Sequence, residues 1–227
     1  MASVLISGAS RGLGLEFARQ YAAAGWRVYA TCREPARADG LKSLPGAVSL
    51  HALDVSRKAD VERLAAELDR TPLDLVIANA GVYGDHAMAP EAIDRPAWDE
   101  VVAVNTFGAL ALATAFKRHL LAARMRKLVA LSSLMASIAR NDAGGQYVYR
   151  ASKAALNALW KSLAVDWRAL GLICLVIRPG FVRTAFTGYR GTLDPPESVA
   201  GMRATIERAT IADSGRFLSY DGEEIPW

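Results

Sequence analysis

Short apolar runs alternate with amphipathic stretches along nearly the whole chain, and that alternation leaves few folds open. Residues 3–7, 27–32, 48–53, 73–78, 127–132 and 172–177 read as buried strands, with a last short one at 216–220. Between them, 12–24, 56–69, 98–121, 147–169 and 195–209 carry helical periodicity. In 56–69 the apolar residues Val61, Leu64, Ala65 and Leu68 share one face, and Gly25 suits the end of the first helix. Strand and helix in strict alternation predict an α/β fold, a doubly wound parallel sheet covered by helices on both faces. The 227 residues, 52% hydrophobic and 22% charged, fit a single folded domain over 1–227 and exclude disorder.

Composition narrows the setting. No apolar run approaches the ~20 residues that span a bilayer, and the start at Met1 enters a strand without a basic leader, so neither a membrane span nor a signal peptide is expected. Cys32 and Cys174, the only cysteines, offer no disulfide framework and no metal spacing, which suits the cytoplasm; both read as small buried hydrophobes. The net charge is +4, but the basic residues are scattered. The densest cluster, Arg124-Met125-Arg126-Lys127, falls where a helix ends, so it reads as cations at a helix C-terminus and not as a nucleic-acid surface.

Two motifs carry chemistry. Tyr149 and Lys153 stand four apart in the 147–169 helix, so both side chains project to one face. A cation beside a phenol favours the phenolate, which would bring its ordinary value near ~10 down toward neutrality. Between the first strand and helix lies Gly8-Ala9-Ser10-Arg11-Gly12-Leu13-Gly14, a G-x-x-x-G-x-G turn. Such a turn admits close approach of a phosphate to a helix N-terminus, and its place after the first strand favours dinucleotide binding over a plain turn.

Taken in order, Gly8-x-x-x-Gly12-x-Gly14, Asn79-Ala80-Gly81, Asn105, Ser133, Tyr149-x-x-x-Lys153 and Pro179-Gly180 resemble the classical short-chain dehydrogenase/reductase family over nearly the whole chain. The ending 215–227 and the Ser133 to Tyr149 spacing, enlarged by Asn141-Asp142-Ala143-Gly144-Gly145, are similar to the C-factor and Sniffer-like carbonyl reductase branch. The resemblance implies a Rossmann sheet of about seven strands in order 3-2-1-4-5-6-7 and an oxidoreductase that transfers hydride between a nicotinamide and a carbonyl or secondary alcohol. In that scheme Tyr149 is the general acid/base, Lys153 tunes it and binds the nicotinamide ribose, Ser133 holds the substrate oxygen, and Asn105 holds a relay water. Ser132 and Ser137 compete for the serine role; Ser133 fits the family pattern. Asp54 and Val55 match an adenine contact, and Val182 and Thr184 a contact on the carboxamide side. Asn79, Ala80 and Gly81 would border the cofactor together with Pro179 and Gly180.

Charge selects the cofactor. The second strand ends at Thr31 or Cys32 without the carboxylate that grips an NAD ribose, while Arg33 and Arg11 would flank a 2′-phosphate, so NADP(H) is expected over NAD(H), with Glu34 turned outward. Substrate identity is expected to reside in 82–96, 134–146 and 181–194, where Tyr83, His86, Met135, Phe181, Phe186 and Tyr189 suggest an aromatic pocket for a small-molecule carbonyl. Arg140, Arg183 and Arg190 read as solvated surface cations, with recognition of a carboxylate or phosphate as the alternative. Surplus apolar residues on the long helices, including Leu156, Trp160 and Leu163, suggest with the resemblance a homodimer or homotetramer. Trp227 would serve a further interface or pack on its own chain. A second function class stays open: an NADP-binding regulatory or signalling protein of C-factor type with little turnover.

Overall fold

The computed structural model describes residues 1–84 and 89–227. Its chain runs β1 (Ser3–Ile6), α1 (Gly12–Ala23), β2 (Arg27–Cys32), the one-turn α2 (Asp39–Lys42), β3 (Val48–Ala52), α3 (Lys58–Glu67) and β4 (Leu75–Ala78). It continues with α4 (Arg95–Val102), a π-helical segment (Ala103–Gly108), α5 (Ala109–Ala115), α6 (Lys117–Leu121), β5 (Lys127–Leu131), α7 (Tyr147–Asp166), β6 (Ile173–Arg178), α8 (Pro195–Arg208) and β7 (Phe217–Ser219). All strand pairs are parallel, in the order β3-β2-β1-β4-β5-β6-β7. The order reverses between β1 and β4, which opens a crevice at the carboxyl ends of those strands.

Strand residues alternate between two cores. Leu5 and Val76 join Leu64, Leu112, Phe116 and Trp160 on one face of the sheet. Val4, Ile6, Leu75 and Ile77 join Phe17, Val199 and Met202 on the other. Both faces of the central strands are therefore dry, which is why these strands read as unbroken apolar runs. Leu156, Trp160 and Leu163 belong to the first core and are only 1%, 0% and 7% exposed. The surplus apolar positions of α7 thus go inward, a thicker intramolecular core, and these three residues carry no argument for a second copy.

The expected helix 98–121 differs most. It starts at Arg95, where the Asp94 carboxylate accepts the Ala97 N–H at 2.8 Å, and is interrupted at 103–108 by the π segment. The physical cause is Asn105, 1% exposed, whose amide donates to the Val82 carbonyl and to Ser152 Oγ and whose Oδ1 accepts the Val82 N–H. Thr106 adds a bond to the Ser152 carbonyl at 2.9 Å, so the widened turn is tied to α7 by side chains that a regular helix would rotate away.

His119 on α6 lies 2% exposed with Nε2 at 3.1 Å from the Ala65 carbonyl. Burial, helped by Arg118, holds its pKa below the ordinary histidine value against the backbone bonds and Asp69 that oppose the shift. Above about pH 6.5 both folded and unfolded chains carry a neutral imidazole. Below it the unfolded chain takes up a proton that the folded chain refuses, so stability falls as pH falls, by at most about 1.4 kcal/mol per pH unit. Thermal melts of the wild type and His119→Gln at pH 7.5 and 5.5 check this: the variant should lose less on acidification, and equal losses would contradict it.

Candidate active site

The crevice between β1 and β4 is built by backbone fit. A β-carbon on Gly14 would stand 2.3 Å from the Gly8 carbonyl oxygen and 2.6 Å from Asn79 Nδ2, so only glycine lets the turn close there. Asn79 binds that turn through Nδ2 to the Ser7 and Gly8 carbonyls at 2.8 and 3.0 Å. Ser7 Oγ accepts the N–H groups of Asn79 and Ala80 at 3.0 and 3.1 Å. The motif after β4 therefore shapes the glycine turn from behind, and Ser7, absent from the expected site, is part of the brace. Its small polar side chain just before Gly8 was the only signal. The first turn of α1 carries no acidic residue and Arg11 stands exposed before it, which leaves the free N–H groups and the dipole to an anion.

Beyond β3, Asp54 Oδ1 accepts from the Ser56 hydroxyl at 2.7 Å and from its N–H at 3.0 Å. Burial raises this carboxyl, but the Ser56 bonds and the Arg33 and Arg57 charges outweigh it and hold the group below the ordinary aspartate range. Thr31 and Cys32 are buried at the end of β2, and Glu34 turns outward into an ion pair with Arg37 at 3.0 Å. Among the described residues neither Arg11 nor Arg33 stands within ion-pair distance of a carboxylate.

On the other side of the crevice, α7 buries Tyr149 and Lys153 to 6% and 4% exposure, one helical turn apart. Ser133, just past the end of β5, lies beside the Tyr149 side chain, near enough to favour its ionised form. The two competing serines are engaged elsewhere: Ser132 Oγ donates to Asn157 Oδ1 at 2.7 Å and Ser137 Oγ to the Pro226 carbonyl. A β-carbon on Gly81 would lie 3.3 Å from Asn105 Oδ1 and 3.5 Å from Lys153 Nζ, so the bare glycine keeps these two side chains on one side of the crevice. Ser152, not anticipated, locks the group together: it takes the Asn105 amide at 3.0 Å and donates to the Tyr149 carbonyl at 2.8 Å. Its place between Tyr149 and Lys153 on the helix was the available clue.

The expected lowering of Tyr149 by Lys153 is not what this geometry produces. Burial pushes the phenol up, Ser133 pulls it down by a smaller amount, and Tyr83 adds to the rise. Lys153 Nζ instead donates to the Leu131 carbonyl at 2.9 Å, and burial lowers it to about 8. Both groups are desolvated, and burial shifts each toward its neutral form.

Of the pocket residues, Tyr83, Met135 and Phe186 converge on Tyr149. The Tyr83 and Tyr149 rings stack at 4.3 Å and 11°, Phe186 approaches both at 5.6 and 6.0 Å, and Tyr83 Oη donates to Met135 Sδ at 3.3 Å. Phe181 and Tyr189 are 50% and 67% exposed and join no ring cluster among the described residues, and His86 lies outside the described residues. Arg183 pairs with Asp194 at 2.8 Å. Gly180 and Val182 lie at the exit of β6, where the Val182 carbonyl accepts the Thr184 N–H.

A doubly wound sheet with an anion-ready turn at its switch point, a buried tyrosine and lysine, and a half-buried serine beside them defines a nucleotide-binding oxidoreductase. A model of the short chain dehydrogenase family matches residues 2–192, and the chain belongs to that family. It is 36% identical to the C-signal protein of Myxococcus xanthus over 156 residues, which covers 69% of this chain and 93% of that one. The carbonyl reductase Sniffer of D. melanogaster superposes with a TM-score of 0.94 at 29% identity over 100% of both chains. A carbonyl reductase from Pseudomonas aeruginosa PAO1 in complex with NADP gives 0.89 at 33% identity, again over 100% of both.

Proposed function

We propose that the protein is an NADPH-dependent carbonyl reductase in which Tyr149 supplies the proton, Ser133 holds the carbonyl oxygen, and Lys153 and Asn105 replenish the proton. The observation that carries this reading is the Tyr149 hydroxyl itself: buried, with the Ser133 side chain beside it, and held neutral by its surroundings. A neutral phenol is an acid ready to give its proton to an oxygen on which negative charge develops, and the Ser133 hydroxyl stabilises that same oxygen. The Val82 N–H occupies one lone pair of Asn105 Oδ1, which leaves the other for a water between Lys153 and solvent.

The residues fit a dinucleotide. Gly8, Ser10, Gly12, Leu13 and Gly14 would form the cradle, whose tight closure a β-carbon at Gly14 would prevent, with Asp54 and Val55 assigned to the adenine end and Pro179, Gly180, Val182 and Thr184 to the nicotinamide side. NADPH, when bound, supplies the hydride. Preference for NADP(H) over NAD(H) rests on Arg11 and Arg33, which form no ion pair among the described residues, and on the outward Glu34. Losing two charge-assisted contacts should weaken NADPH by roughly 10- to 100-fold. The double variant Arg11→Ala/Arg33→Ala is therefore expected to lose that much NADPH affinity by fluorescence titration and to leave NADH within about twofold. Equal NADH and NADPH affinity in the unaltered protein would end the preference.

The test of the activity is NADPH oxidation with an α-dicarbonyl, a quinone, an aromatic aldehyde and an aliphatic ketone. Tight NADPH binding without turnover on any of them would favour the second reading, a nucleotide-binding regulatory protein, which the likeness to C-signal keeps in view. A homo-oligomer remains part of the proposal; Phe107 and Val165, 47% and 65% exposed on the helices concerned, are the residues that would enter such an interface. Cytoplasmic residence rests on the two free, buried thiols.

A further inference from the structure

The loop that bears Ser133 is clamped at its far end by the final residues of the chain. We propose that Ser137, together with the Pro226-Trp227 ending, positions Ser133, so that the last residues after β7 set the geometry of the site. The inference rests on the reading of Ser133 as the holder of the carbonyl oxygen. Ser133 begins a single tight turn: its Oγ accepts the Met135 N–H at 3.2 Å, its carbonyl accepts the Ala136 N–H at 2.9 Å, and Ser137 N–H reaches the Leu134 carbonyl at 3.0 Å. Whatever moves Ser137 moves this turn and with it the Ser133 hydroxyl.

Ser137 is 1% exposed and anchored from outside the loop. Its Oγ donates to the Pro226 carbonyl at 2.5 Å and accepts the Arg140 N–H at 3.2 Å. Two residues on, the Ala139 N–H donates to the Trp227 carbonyl at 2.9 Å. The ending is itself tied to the sheet. Ile225 N–H donates to the Phe217 carbonyl at 2.8 Å, Glu224 bridges Leu218 in antiparallel fashion, and the Trp227 ring stacks on that of Phe217 at 5.6 Å. Phe217 is fully buried in the core, so a rigid chain of contacts runs from the sheet through Trp227 and Pro226 to Ser137 and Ser133. On the loop's other side Arg150 reaches the Met135 carbonyl at 3.4 Å and the Gly145 carbonyl at 3.1 Å, and Tyr83 reaches the Met135 sulfur at 3.3 Å, none of them a bond to Ser137. Beyond Ser137 the loop is open to solvent, with Ile138 77% exposed. Without the clamp the Ser133 hydroxyl would sample orientations that do not meet the carbonyl oxygen, and the cost would fall on turnover and not on cofactor binding.

The Met135 amide reports the position of Ser133 Oγ without any reaction, because that oxygen is its acceptor. In the intact chain, Ser137→Ala and Trp227→Gly are expected to speed Met135 amide exchange about 10-fold, to the level of Ser133→Ala, with the amides of β5 unchanged. Turnover with NADPH should fall about 10-fold at unchanged KM for NADPH, Ser137→Thr should restore it, and neither substitution should lower kcat further in a Ser133→Ala background. An unchanged Met135 amide would overturn the proposal. So would a kcat loss that persists in full beside Ser133→Ala, or exchange that rises equally throughout β5, either of which marks a general loss of stability. Should Ser133→Ala itself leave turnover intact, the catalytic reading of Ser133 falls, and Met135 exchange still decides whether the ending positions it.

Discussion

Tyr149→Phe is expected to lower NADPH-dependent carbonyl reduction by about 1,000-fold, the middle of the range for a positioned general acid, while NADPH affinity stays within about twofold. The substitution removes one oxygen and keeps the ring. The stack on Tyr83 at 4.3 Å and the contact with Phe186 at 6.0 Å therefore persist, and the packing of α7 with them. What disappears is the proton donor and the hydroxyl beside which Ser133 stands. Stopped-flow turnover beside a fluorescence titration of NADPH separates the outcomes. Turnover within tenfold of the unaltered protein would show that the proton comes from elsewhere. A parallel loss of NADPH affinity would mean that the hydroxyl serves binding and not the chemical step. The raised phenol makes a further point: a neutral Tyr149 suits reduction, whereas alcohol oxidation needs the phenolate. Reduction should therefore hold its rate through neutral pH, and oxidation should accelerate as pH rises.

Gly14→Ala carries the largest expected effect on the scaffold. The new methyl would meet the Gly8 carbonyl at 2.3 Å and the Ala9 Cα at 2.9 Å, both backbone, so no side-chain rotation can relieve it. Overpacking of this kind costs about 3 kcal/mol, which for a chain of this length is roughly 6–12 °C of Tm. The displaced Gly8 carbonyl would also pull against Asn79 Nδ2, which binds it at 3.0 Å, and so disturb the end of β4. NADPH affinity should drop by at least about tenfold because the turn that receives the phosphates is the part displaced. A variant with unchanged Tm and cofactor affinity would show that the turn relaxes freely, and the cradle would then not be the rigid element described above.

Much of this molecule was legible before any coordinates. Strand and helix alternate at intervals that only a parallel sheet accommodates, and the seven strands fall within two residues of where the apolar runs place them. Tyr149 and Lys153 share a helix face because a spacing of four is local geometry, and the glycine turn announced itself by its place after the first strand. These features are written in neighbouring residues, and periodicity reads neighbours well.

What the pattern could not give is which surfaces meet. Leu156, Trp160 and Leu163 are apolar in any reading, but whether they face a core or a second copy depends on what lies across from α7. The break at 103–108 depends on Val82 and Ser152 reaching Asn105 from two other elements. Tyr83 stacks on Tyr149 because β4 and β5 are neighbours in the sheet and their connections converge above it. The direction of the Tyr149 and Lys153 pKa values turns on burial and on the Leu131 carbonyl that takes the ammonium. Composition and spacing set the fold class, the helix that bears the tyrosine and the turn that awaits a phosphate, because those follow from backbone geometry over a few residues. Solvent exclusion and side-chain partners belong to the assembled chain, because dielectric and hydrogen bonding are properties of the space between distant segments.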